Sequence, residues 1–154
     1  MSVSLKQFFN DKGVCTLFSN LVVKTSLKDK GSGGAGFNFN KEENELFLPI
    51  KLDGGLFKQQ TGKIADFLIY YKSENSNLKV VILELKGKVK NRRPEEQVES
   101  TIQLIKNNHS FMIPESAKIL KIVKVRSSSP KMNKKKSDIL YISNDNKIAK
   151  VIRG

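Results

Sequence analysis

Two apolar segments of strand length, joined by a short polar connector, constrain the fold of this chain more than any other feature. Residues 64–71 read IADFLIYY and residues 78–85 read LKVVILEL, and six polar residues lie between them. Both segments are rich in β-branched and aromatic residues, and an Asn- and Ser-rich connector is typical of a turn. The pattern therefore predicts an antiparallel hairpin. Both faces of the second strand begin apolar, so we expect that strand to be central and covered on both sides.

Three charged residues interrupt this apolar hairpin: Asp66 in the first strand, and Glu84 and Lys86 at the end of the second. Glu84 and Lys86 share a face, because side chains alternate along a strand. A hairpin symmetric about Asn75 places Asp66 opposite Glu84. Facing carboxylates repel each other and are costly to desolvate, and a divalent cation between them removes both penalties. Mg²⁺ takes one or two carboxylates and leaves its other positions to water and substrate phosphate, at which Lys86 would point.

The spacing of Asp66, seventeen residues, then Glu84-Leu85-Lys86 resembles the PD-(D/E)xK nuclease superfamily, which includes restriction endonucleases and Holliday junction resolvases. The resemblance covers roughly residues 60–107. It implies Asp66 and Glu84 as metal ligands with the carbonyl of Leu85, Lys86 as the catalytic lysine, and Mg²⁺ or Mn²⁺ as the cofactor. Ile64-Ala65 stands where Pro often precedes the Asp of the family.

The same resemblance implies two supporting residues. A polar residue of the helix after the lysine strand supports the site in related nucleases, and Gln97 is the candidate here, with a solvated surface glutamine as the alternative. Many members add an acidic residue from an upstream helix, for which Glu43, with its neighbours Glu42 and Glu45, is available. The simpler alternative is an ordinary amphipathic hairpin that ends in a Glu–Lys pair. Asp66 argues against it, since Asp is disfavoured inside an apolar strand.

The positive charge is concentrated in the second half of the chain. The net charge is +13, of which residues 1–77 carry +2 and residues 78–154 carry +11. This asymmetry favours a polyanionic partner, and we expect DNA in preference to RNA; a lysine-rich surface without a specific partner is the alternative. The predicted nucleic-acid-binding residues form two groups: Lys88, Lys90, Arg92 and Arg93, and then Lys134, Lys135 and Lys136.

The remaining segments predict a small α/β domain. We expect a helix at 4–10, a helix or strand at 17–23, a glycine-rich loop at 28–36, and an edge strand at 44–51. A helix should begin at Pro94, with an apolar stripe of Val98, Ile102 and Ile105. Strands are predicted at 118–125, 138–143 and 147–153, with an Asn-rich turn at 144–146 between the last two. His109 fits a helix end better than a catalytic role.

The length of 154 residues suits one domain with a hydrophobic core. We therefore expect a single nuclease-like domain over residues 1–154, with a central mixed β-sheet flanked by helices, as in restriction endonucleases. The chain has no apolar run long enough to cross a membrane. One cysteine and no signal-peptide pattern predict a reducing, cytoplasmic location. Gly31, Gly33 and Gly36 match a dinucleotide-binding pattern, but no helix pattern follows them.

These observations together predict a metal-dependent nuclease that hydrolyses phosphodiester bonds in DNA through a metal-activated water. A homodimer would allow subunits with one site each to cut both strands. A non-catalytic nucleic-acid-binding module with the same fold is the main alternative, and a subunit of a larger assembly is the third. Metal-dependent cutting separates the first hypothesis from the others, and salt-sensitive binding to DNA separates the second from the third.

Overall fold

The computed structural model describes residues 26–28, 36–57, 63–86, 94–125 and 138–154. Several predictions fall outside these ranges: the segments 4–10 and 17–23, most of the glycine-rich loop, and both basic groups. Strands β1 (Ser26–Lys28) and β2 (Gly36–Asn38) form a small antiparallel pair. Within the described ranges, no helix is both long enough and apolar enough to cross a lipid bilayer.

A mixed five-stranded sheet forms the centre of the α/β fold, as predicted. Its five strands lie side by side in chain order, so the first and the last are the edge strands. They are β3 (Glu45–Lys51), β4 (Phe67–Ser73), β5 (Lys79–Lys86), β6 (Lys118–Val125) and β7 (Leu140–Ile142). The first three strands form an antiparallel meander. The last three are parallel to one another. The predicted edge strand at 44–51 and the strand at 118–125 are both confirmed.

The β4–β5 hairpin has the predicted register. Phe67 pairs with Leu83 and Ile69 pairs with Val81, so both pairs are symmetric about Asn75. The turn is closed by Ser76, whose hydroxyl accepts a hydrogen bond from the backbone N–H of Ser73 at 2.9 Å. Extending this register by one residue puts Asp66, the residue before β4, opposite Glu84.

Both faces of the sheet are covered, which confirms that β5 is a central strand. Helix α1 (Pro94–Asn108) packs on the face that carries Val80 and Ile82. Helix α2 (Asp145–Arg153) and the β1–β2 pair cover the opposite face. Helix α1 begins at Pro94, as predicted, and provides the crossover that two parallel strands require. Its apolar stripe at helical spacing is buried: Val98, Ile102 and Ile105.

The prediction of a strand at 147–153 is wrong, because this segment lies in helix α2. Asn144 begins the helix: its side-chain oxygen accepts hydrogen bonds from the backbone N–H groups of Asn146 at 2.8 Å and Lys147 at 3.2 Å. Ile148 and Ile152, one helical turn apart, are both buried. The Asn-rich sequence read as a turn is therefore a helix cap, for which Asn is equally suited. Strand β7 lies within the predicted range 138–143 but is shorter.

A partly buried ion pair connects the end of α2 to the start of β3. The Nε and Nη2 atoms of Arg153 donate to the two carboxylate oxygens of Glu45 at 2.8 Å and 2.9 Å. The Tyr71 hydroxyl donates to the same carboxylate, and the guanidinium lies 4.6 Å above the centre of the Phe39 ring. The Arg153 hydrogen bonds lower the pKa of Glu45 to about 2, against the opposing effect of burial. This cluster is structural and lies far from the hairpin end that carries Asp66.

Candidate active site

The charged residues of the hairpin lie at the carboxyl edge of the sheet, which is the border where the parallel strands β5 and β6 end. Lys86, the last residue of β5, is the register partner of Val125, the last residue of β6. Strand β4 runs antiparallel to β5, so its first residue lies at this same edge, directly after Asp66. In open α/β sheets the carboxyl ends of the strands are the usual place for a ligand.

Asp66 is held by backbone contacts on two sides. It is 3% exposed, and its Oδ2 atom accepts a hydrogen bond from the backbone N–H of Leu85 at 2.8 Å. Its carbonyl oxygen accepts from the backbone N–H of Leu52 at 2.9 Å. Leu52 opens a wide turn, Leu52–Leu56, that follows β3. Asp66 is therefore held by one contact from β5 and one from the turn after β3, directly before strand β4 begins.

Glu84 and Lys86 share the α1 side of β5 with Val80 and Ile82. Glu84 is 1% exposed, and its Oε1 atom lies 4.0 Å from the Nζ atom of Lys86. The Lys86 side chain keeps 16% of its surface exposed, so its ammonium group borders both the buried carboxylates and solvent. Side chains directly opposite in an antiparallel pair have Cβ atoms roughly 5 Å apart. If the register continues by one residue beyond Phe67–Leu83, Asp66 and Glu84 would lie close enough to share one cation.

The backbone of Leu85 also faces this site. Its N–H points to Asp66, and an extended residue directs its N–H and its C=O to the same neighbouring strand. The Leu85 carbonyl consequently lies on the Asp66 side of β5, which agrees with its predicted role as a metal ligand.

Helix α1 meets the site through two polar residues one turn apart. Gln97 brings its Nε2 atom to 3.5 Å from the carbonyl oxygen of Ile64, and its Oε1 atom is buried without a hydrogen-bond partner among the described residues. Thr101 is completely buried; its hydroxyl accepts from the backbone N–H of Ala65 at 2.7 Å and donates to the carbonyl of Gln97 at 2.6 Å. The structure thus brings Gln97 to the segment that leads into Asp66, and its supporting role stays a prediction.

Thr101 is the residue that sequence reasoning missed. The sequence held one indication of its role: Thr101 lies beside the apolar stripe of α1. A β-branched polar residue is disfavoured in a helix interior, so its presence there needs a reason.

The two acidic residues in the first turn of α1 contact strand β7 and the segment before Asp66. Glu95 accepts a hydrogen bond from the hydroxyl of Tyr141 in β7, and Glu96 forms an ion pair with Lys63. Burial and the Glu95 hydrogen bond raise the pKa of Tyr141. These contacts fix the start of α1 against the sheet and against the segment that precedes Asp66.

The structure does not bring Glu43 to the site. Glu43 is exposed and lies in the turn before β3, whose first residue, Glu45, pairs with Ser73 at the far end of β4. Seven strand residues separate that end from Asp66, about 23 Å at 3.3 Å per residue. Glu43 does not reach the site because β3 is antiparallel to β4, so the first residue of β3 lies away from the site.

The predicted nucleic-acid-binding residues lie outside the described residues, but the points at which the chain enters them are described. The segment 87–93 follows Lys86, and the segment 126–137 follows Val125. Because these two residues are register partners, their backbones are about 4.8 Å apart. Both basic segments therefore begin at the edge of the sheet that carries Glu84 and Lys86.

The donor set at this edge fits a hard divalent cation. Carboxylate and carbonyl oxygens are the ligands that Mg²⁺ and Mn²⁺ prefer. The buried Oε1 atom of Gln97, which has no partner among the described residues, would accept a hydrogen bond from a water. Within the described ranges, no three His, Cys, Asp or Glu side chains gather as a metal cluster. The arrangement is thus a two-carboxylate site, in which water and phosphate oxygens would complete the coordination.

Comparisons with protein-family models, with curated proteins and with solved structures find no match to this chain.

Proposed function

We propose that this chain is a Mg²⁺- or Mn²⁺-dependent nuclease of the PD-(D/E)xK type that hydrolyses phosphodiester bonds in DNA. The observation that carries the proposal is the register of the β4–β5 hairpin. Extended by one residue beyond the Phe67–Leu83 pair, this register puts Asp66 opposite Glu84, and Lys86 lies 4.0 Å from Glu84 on the same face. An ordinary strand-end ion pair needs no second buried carboxylate opposite it, so the charge pattern favours a bound cation and a phosphate ligand.

Each residue has a distinct part in this proposal. Asp66, Glu84 and the Leu85 carbonyl would hold the ion, which would polarise the scissile phosphate and acidify a bound water. Lys86 presents its side-chain amine at the solvent side of Glu84, where it would stabilise negative charge that develops on the phosphate. Gln97 offers an acceptor that orients a water at the same edge. The apolar residues around Glu84 exclude bulk water, which strengthens these electrostatic effects.

The same edge supports binding to a polyanion. The two basic segments that start there carry most of the excess charge of the chain. Such residues would hold the phosphates that flank the scissile one, and phosphate contacts position a nucleic acid without reading its sequence. We propose duplex DNA as the substrate. Two copies of the chain, each with one site, would be needed to cut both strands together.

Cleavage and binding assays test the proposal separately. Duplex DNA, single-stranded DNA and RNA are incubated with the wild-type chain in Mg²⁺, Mn²⁺ or EDTA. Asp66→Asn and Glu84→Gln should abolish metal-dependent cleavage and leave binding in EDTA intact, because both variants keep side-chain shape. The matched control is Asp53→Asn, which removes an exposed carboxylate one residue from Leu52 and should cut at the wild-type rate.

The alternative functions give different results in the same experiment. Salt-sensitive binding without cleavage in any metal would indicate a non-catalytic nucleic-acid-binding module. Neither binding nor cleavage would indicate a subunit whose basic surface meets an acidic protein. Equal cleavage by the wild type and both site variants would show that the catalytic residues lie elsewhere.

A further inference from the structure

Thr101 occupies an unusual position for a polar residue. It lies in the middle of α1 and is completely buried, between residues that pack on the sheet. One hydroxyl can donate one hydrogen bond and accept two. Thr101 donates to the carbonyl of Gln97, one turn earlier in its own helix, and accepts from the backbone N–H of Ala65. Its hydroxyl therefore links the helix to the residue directly before Asp66.

We propose that Thr101 is a positioning residue for Asp66, through the backbone of Ala65. The inference rests on the proposed function, since it concerns the geometry of the metal ligand. Ala65 lies two residues before Phe67, the first residue of β4. The backbone N–H of Leu85 bonds to the Asp66 side chain, and not to the Ala65 carbonyl. Thr101 supplies, from the helix side, the bond that the ladder does not give to the Ala65 N–H.

The hydrogen bond to Ala65 would control the distance between the Asp66 carboxylate and a bound ion. Ala65 and Asp66 have Cα atoms about 3.8 Å apart, so a rotation at Ala65 moves the Asp66 carboxylate. Metal sites tolerate deviations of only about 0.2 Å in ligand distances. Gln97 contacts the carbonyl of Ile64, so the two helix residues together hold the two residues that lead into Asp66. A merely structural threonine would affect folding stability, but would not affect ion affinity more than other core substitutions do.

The test compares three variants of the full chain without substrate. Thr101→Val keeps the shape but removes the hydroxyl, Thr101→Ser keeps the hydroxyl but removes a methyl group, and Ile105→Val removes a methyl group from an equally buried position one turn away. Mn²⁺ affinity is measured by titration calorimetry, and thermal unfolding in EDTA is measured in parallel. Loss of a residue that orients a metal ligand typically weakens metal binding 10- to 100-fold. We expect at least about a tenfold loss for Thr101→Val, with near wild-type affinity for Thr101→Ser and Ile105→Val.

Cleavage kinetics give a second readout. Thr101→Val should lower kcat at fixed Mn²⁺ and leave KM for DNA unchanged, because its hydroxyl bonds to Ala65 and Gln97, next to the proposed metal ligand. Wild-type Mn²⁺ affinity in Thr101→Val would overturn the inference while leaving the proposed function in place. An equal loss in Thr101→Ser or Ile105→Val would overturn it too, because the hydroxyl would not be the cause.

Two further outcomes are decisive. If the wild type itself binds no Mn²⁺, the proposed function and this inference both fail. If Thr101→Val does not fold, Thr101→Ala, which cannot overpack the helix, replaces it. Failure of both to fold would make Thr101 a determinant of the fold instead of a positioning residue.

Discussion

Neutralising Asp66 should make the metal-free protein more stable, although the residue is buried and hydrogen-bonded. In Asp66→Asn the side chain keeps an oxygen that can accept the hydrogen bond from the Leu85 N–H, and only the charge is lost. Two unit charges about 5 Å apart repel by about 3 kcal/mol at an effective dielectric constant of 20. Lys86, 4.0 Å from Glu84, offsets part of this repulsion. We expect a net gain of about 1–2 kcal/mol, within the range seen when buried charge is removed.

Thermal unfolding in EDTA measures this gain. For a domain of this size, 1 kcal/mol corresponds to about 2–4 °C in Tm, so Asp66→Asn should melt a few degrees above the wild type. Mg²⁺ should reverse the order. At a hundred times its Kd, an ion that binds only the folded state adds about 2.7 kcal/mol, and only the wild type should gain it. Asp53→Asn, the exposed control, should follow the wild type in both conditions.

One result would refute the reasoning. If Asp66→Asn is less stable than the wild type in EDTA and the wild type does not respond to Mg²⁺, then Asp66 stabilises the end of the hairpin as a backbone cap. Its carboxylate would then have a structural role only, and the electrostatic argument for a cation site would be lost.

Three other expectations can be checked on the same chain. Lys86→Arg should lower turnover by about 100-fold or more while DNA binding is kept, since a planar guanidinium does not replace a compact ammonium. The pKa of Glu45 is lowered from 4.5 to about 2 in the fold, so its contribution to stability is complete above pH 4.5 and is lost as the pH falls towards 2. Glu45→Gln should cost about 2–3 kcal/mol in urea unfolding at pH 7 and remove that pH dependence. Arg92→Ala with Arg93→Ala should reduce the salt slope of duplex binding by about 1.8, equally for all sequences.

The hairpin and its register were predictable because both follow from local rules. A polar connector between two apolar segments sets a symmetric register, and strand alternation then puts Glu84 and Lys86 on one face. The start of α1 at Pro94 was equally predictable, since proline suits the first turn of a helix and interrupts a strand.

The rest depended on tertiary structure or on ambiguous local signals. The segment 147–153 contains β-branched residues that suit a strand, but Asn144 caps a helix there and Ile148 and Ile152 are one turn apart. The position of Glu43 could not be read from the sequence, because it depends on the direction of β3 relative to β4. The role of Thr101 required the distance between α1 and Ala65, two segments that lie more than thirty residues apart.

The hairpin also determines the order in which the candidate site assembles as the chain folds. Seventeen residues separate Asp66 from Glu84, and an isolated hairpin of this kind forms within about 1–10 μs. Pairing of β5 with β6 must wait for the crossover through α1, and contacts of high sequence separation form more slowly. The two carboxylates therefore meet before α1 buries them, and their repulsion opposes the docking of that helix. Mg²⁺ should consequently raise the folding rate constant, and not only lower the unfolding rate constant.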